Sequence, residues 1–210
     1  MQSWIKKVCL AISFLILSGQ SCFADSPLRS TQFYEAYEDE EIVQIAAEAN
    51  GVLNNQLIDF ILNKENPIDL KLAAINRLVL LKENLNNSEI LVNYAIENGL
   101  YQNKSELYRL SDADLKICLA YLQAFDEKVS LSVASSTAWS ATYRNKTSFS
   151  IHIIYAIIEA QMVNYEDEWC KIYQFTDEVR QNTSLKMDMK PEAVKIIFEY
   201  MDLYKEYCEE

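Results

Sequence analysis

Between Asn66 and Asn84 the chain reads NPIDLKLAAINRLVLLKEN, its longest apolar run after the amino-terminal segment and the one with the clearest helix punctuation. Asn66 is a favourable N-cap, Pro67 suits a first helical position, and Asp69 puts negative charge in the first turn. At about 100° per residue, Ile68, Leu72, Ile75 and Val79 fall on one stripe and Leu70, Ala74, Leu78 and Leu81 on another. A helix apolar on two sides has neighbours on at least two faces. Asp69, Asn76 and Glu83 leave a narrow strip for water, so this segment is expected to be a central helix wrapped by others.

The surrounding pattern supplies those others. Ser30 or Thr31 can cap a helix running to about Ala49, with Phe33, Tyr37, Ile42, Ile45, Ala46 and Ala49 inward and Glu35, Glu38, Asp39, Glu40 and Glu41 outward. Asn50-Gly51 ends it, glycine taking the left-handed conformation of a helix terminus. Val52 to Asn63 predicts a second helix through Leu53, Leu57, Phe60 and Ile61. After the central segment, Asn87 or Ser88 caps a helix through Ile90, Leu91, Tyr94 and Ala95 that stops at Asn98-Gly99. A short turn over Lys104 to Leu110 precedes a capping box, Ser111 with Asp114, and a helix burying Leu115, Cys118, Leu119 and Leu122.

Residues 128–158 read two ways. VSLSVAS and FSIHIIY alternate apolar with polar, and Arg144-Asn145-Lys146-Thr147 between them would make an α+β chain with one hairpin. The tight hairpin turns favour glycine, however, and none follows Gly99, while Ala134, Ala138 and Ala141 suit close helix approach; two helices are expected. Further on, Tyr165, Trp169, Ile172 and Thr176 share a helical face. Gln181 to Met189 is a polar loop, and Pro191 opens a last helix with Val194, Ile197, Met201, Tyr204 and Cys208 on one inward seam.

The mature chain has too few Gly and Pro for an all-β fold, so an all-α fold is expected, either a multi-helix bundle or a short irregular α-solenoid. The run Leu70-Lys71-Leu72-Ala73-Ala74-Ile75-Asn76-Arg77-Leu78 resembles the second helix of HEAT-type repeats, with Asp114-Leu115-Lys116-Ile117-Cys118-Leu119 a weaker copy 45 residues on. The resemblance covers two helices, and no third copy follows Leu122. It implies stacked helix pairs and a protein-binding surface.

Met1 to Ala24 has the pattern of a signal peptide: Lys6 and Lys7, an apolar stretch from Val8 to Leu17, and cleavage after Ala24. The alternative, a lipoprotein signal at Cys22, is disfavoured by Gly19-Gln20-Ser21 before it. Residues 25–210 then form a single helical domain, periplasmic or secreted, with no later run long enough to insert stably in a membrane. Without the leader, 17 basic residues face 31 acidic ones, a net charge of −14. Such acidity argues against nucleic-acid partners and favours, if anything, a cationic protein.

Chemistry is sparse. His152, the only histidine, leaves no zinc or di-iron motif to assemble, and as a general base it would need a nucleophile such as Ser148, Ser150 or Cys118. No cofactor fingerprint occurs, and the acids of 38–41 and 166–168 run consecutively instead of alternating as calcium loops do. Three cysteines remain after the leader; Cys170 and Cys208 are the candidate disulfide, against three small buried residues. Aromatics beside acidic runs give a candidate protein-binding patch of Tyr34, Tyr37, Glu38, Glu41, Tyr165, Glu166 and Trp169. The expectation is a non-enzymatic acidic protein that binds another protein as an inhibitor, immunity-type or scaffolding factor. The alternatives are a carrier of an apolar small molecule between helices and a helical hydrolase using His152.

Overall fold

A computed structural model describes residues 26–82, 86–163 and 168–208. The predicted leader lies outside them, as do Tyr165 and Glu166 of the candidate patch. The described residues are all-α: α1 (Pro27–Ser30), a 3-10 turn (Phe33–Tyr37), α2 (Glu41–Glu48), α3 (Asn55–Leu62), α4 (Ile68–Val79), α5 (Asn87–Glu97), α6 (Lys104–Leu110), α7 (Ala113–Phe125), α8 (Leu131–Arg144), α9 (Phe149–Gln161), α10 (Cys170–Gln181), α11 (Pro191–Met201) and a closing 3-10 segment (Asp202–Cys208). Among them there is no strand, and Ser148 pairs with Lys186 in an isolated parallel bridge. Residues 131–161 form two helices, so the hairpin alternative falls.

The central helix is wrapped as its two stripes require. α4 packs against α2, α3, the 3-10 turn, α7 and α9, and its buried residues run from Ile68 to Val79 with few breaks. It shares the centre with α7, which is buried from Leu115 to Gln123 and touches α3, α4, α5, α8 and α9. α8 lies against α7 through Ala134, Ala138 and Ala141, all fully buried, because side chains that stop at Cβ let two backbones come close. α10, α11 and the closing segment cover the far side of α9 and the 3-10 turn.

Several expected details give way to tertiary contacts. The first predicted helix breaks into the 3-10 turn and α2, with α1 lying before its expected cap, because Phe33, Tyr34 and Tyr37 all turn inward and the Tyr34 N–H donates to Asn76 Oδ1 at 3.0 Å instead of to its own helix. α4 starts one residue later than expected, with Pro67 at the N-cap position, while Asn66 Nδ2 donates to the Phe60 carbonyl at 2.9 Å. Asn76 does not face water. It is fully buried, its Nδ2 donating to Tyr121 Oη at 2.8 Å and to the Thr31 carbonyl at 3.2 Å.

The N-terminus of α5 is capped from outside. Asp126, just past α7, accepts the backbone N–H groups of Asn87 and Ser88, each at 2.8 Å. Asp112, not Ser111, caps α7 by accepting the Leu115 N–H at 2.9 Å. At Gly51 the backbone is left-handed (φ 78°), and a Cβ there would lie 2.5 Å from Lys82 Cβ, so a close approach as well as a turn requires glycine. Cys170 and Cys208 are joined in a disulfide, and Cys118 is a buried free thiol. Contrary to the expected inward seam, Cys208 is exposed, because the last helix tightens into a 3-10 segment at Asp202 and the period changes.

Candidate functional site

α2 and α3 meet the start of α4 along an open groove of about 490 Å³. Its floor is Ile42 and Ile45 of α2, Phe60 of α3 and Leu70 of α4; its rim is Glu40, Glu41, Gln56, Asp59, Asn63 and Asn66. The local sequence sets both sides. Asn54 caps α3 by accepting the Leu57 N–H at 2.9 Å, so that Gln56, Asp59, Phe60 and Asn63 recur on one helical side. On α2, Ile42 and Ile45 stand beside the first-turn acid Glu41.

The rim acids are not equivalent. Lys190 Nζ donates to Glu40 Oε1 at 2.9 Å and lies 3.6 Å from Asp39 Oδ1; its hydrogen bond to Glu40 holds the ammonium above its ordinary value. Asp59 Oδ1 accepts the Tyr94 hydroxyl at 2.6 Å, which pushes that hydroxyl's pKa up. Glu41 is exposed and forms no ion pair among the described residues. An alkyl stem lying on Ile45 and Phe60 would bring a cationic head to these carboxylates, the way Lys and Arg side chains straddle apolar and wet surface.

The predicted patch is thereby redrawn. Glu38 and Glu41 are exposed, but Tyr34 and Tyr37 are buried. Tyr37 Oη donates to Asp69 Oδ2 at 2.8 Å and accepts the Lys190 N–H at 2.9 Å, with burial driving its pKa far up. Rings and carboxylates adjacent in sequence point in opposite directions here. Trp169 is half-buried and packs edge-on against Tyr207 and Tyr204, with centroids at 4.9 and 6.1 Å.

The exposed aromatics are others. Trp139 and Tyr143, one turn apart on α8, are 56% and 66% exposed and stack at 5.9 Å. Lys146 lies over the Tyr143 ring at 5.1 Å, and Arg144 Nη2 donates to the Arg109 carbonyl at 2.6 Å, so this surface is locally basic in an acidic protein. The four-residue spacing was present in the sequence, and turning Ala134, Ala138 and Ala141 inward leaves this pair on the outer face of α8, yet neither ring was placed in the candidate patch.

His152 is held by its own helix, Nδ1 donating to the Ser148 carbonyl at 2.8 Å. Its candidate nucleophiles are otherwise engaged. Ser148 Oγ accepts the Ile151 N–H at 3.2 Å, Ser150 Oγ donates to the Asp188 carbonyl at 2.8 Å, and burial pushes the Cys118 thiol well above its ordinary range. Among the described residues no three His, Cys, Asp or Glu side chains gather as metal ligands, and no helix is long and apolar enough to cross a membrane. No protein-family model, curated protein or solved structure matches the chain.

Proposed function

We propose that this is an exported binding protein that captures a cationic segment of another protein in the groove between α2 and α3, acting as an inhibitor or immunity-type factor. The observation that carries the reading is the pairing of an apolar floor with an acidic rim on which Glu41 has no cation. A net charge of −14 after removal of the leader accelerates encounter with a cationic partner, and the groove supplies a place for it to stop. The leader-like segment 1–24 supports export, and the likeness of α4 and α7 to HEAT-type helices agrees with a binding role.

The test is titration of the chain with a short peptide of alternating Lys and Leu at low and moderate salt. Wild type should bind in a salt-sensitive manner, and Glu41→Lys should weaken affinity about tenfold, a loss of about 1.4 kcal/mol. Equal affinity of Glu41→Lys and wild type would overturn the assignment.

A further inference from the structure

A second concavity lies between α9 and α10, about 280 Å³ in volume. α9 presents His152, Tyr155, Ala156 and Glu159 at intervals of three and four, and α10 answers with Phe175, Glu178 and Val179. Ala156, small and buried, leaves the space. Two carboxylates open onto it, and neither Glu159 nor Glu178 has an ion-pair partner among the described residues.

Glu159 is half-buried and accepts the Ser135 hydroxyl, which leaves its charge uncompensated in a partly desolvated place. Tyr155 feels it: burial, then the nearby Glu159 charge, raises the phenol's pKa. Because His152 Nδ1 donates to a carbonyl, the neutral ring keeps Nε2 as an acceptor. A cleft with two carboxylates, a ring nitrogen, two aromatic rings and an apolar floor lacks one complement, a cation on an apolar body. The volume falls just under the roughly 300 Å³ at which drug-sized sites begin.

We propose that the α9–α10 cleft binds a small primary amine carrying an aromatic group, its ammonium between Glu159 and Glu178 and its ring over Ala156 and Val179 beside Phe175. This site is separate from the groove of α2 and α3 and does not depend on the reading given to that groove.

Calorimetric titration of the chain with phenethylamine, 2-phenylethanol and phenylacetate tests it. Phenethylamine should bind saturably and the alcohol and acid at least about tenfold more weakly. Glu159→Gln should lose about tenfold in amine affinity, whereas Glu192→Gln, the same charge change at an exposed position of α11, should lose none. Val179→Phe, at a half-buried position, should fill the cleft and abolish binding while the melting temperature reports that the fold persists. The proposal is overturned if wild type shows no saturable amine binding, if alcohol and amine bind alike, if Glu192→Gln weakens binding as much as Glu159→Gln, or if folded Val179→Phe still binds.

Discussion

At the scale of single residues, buried polar side chains tie together elements that are far apart in the chain. Asn76 satisfies the Tyr34 N–H, the Thr31 carbonyl and Tyr121 Oη at once, joining the amino-terminal turn to both central helices. Asn76→Ala should therefore cost about 2–4 kcal/mol in denaturant unfolding, since it removes several bonds and leaves buried groups unpaired. Arg180 is a second tie, donating from Nε and Nη2 to Asp177 Oδ1 at 2.9 and 2.6 Å and from Nη2 and Nη1 to the two oxygens of Asp202 at 2.8 and 3.0 Å. Burial alone would raise the Asp177 carboxyl, but the hydrogen bonds from Arg180, Tyr173 and Gln181, together with the Arg180 charge, outweigh it and hold the pKa below its ordinary value. A carboxyl depressed on folding contributes stability above its unfolded value and loses it as pH falls through the folded one. Asp177→Asn should melt below wild type near neutral pH, and the gap should close under strongly acidic conditions, as followed by thermal melts across pH.

At the scale of elements, sequence pattern carried most of the helices and few of their caps. The two stripes of residues 68–79, the glycine stop at Gly51 and the alanines of α8 are local signals, and the elements they imply are present. The caps expected from sequence gave way even where they were local: Asn66 turns to the Phe60 carbonyl, Asp112 takes the place of Ser111, and the local cap at Asn54 was not singled out. The N-terminus of α5 is satisfied by Asp126, 38 to 39 residues away, and no periodicity announces such a partner. The same applies to the break at residues 38–40 and to the burial of Asn76, whose polar strip looked solvent-facing until Thr31, Tyr34 and Tyr121 closed over it. Asp126→Ala should destabilise by about 2 kcal/mol, the upper range for losing a cap, with hydrogen exchange rising first at the start of α5.

At the scale of the whole molecule, the groove was illegible because residues from Glu40 to Leu70 on three helices and their connections must assemble before an apolar floor and an acidic rim coincide. Individual acids looked alike in the sequence; the fold separates Glu40, held by Lys190, from Glu41, left unpaired. The carboxyl-terminal elements are tied by the Cys170–Cys208 bridge, which spans 38 residues. Cys208→Ser should lower stability by about 3–4 kcal/mol if loop-closure entropy governs, measured by denaturant unfolding under non-reducing conditions.

The acid-rimmed groove is the proposed interface, and the basic face of Trp139 and Tyr143 is the surface to set against it. Hydrogen–deuterium exchange of the chain with and without the Lys–Leu peptide separates them most directly. New protection confined to α2 and α3 is the predicted result. Protection over α8, with α2 and α3 unchanged, would contradict the account.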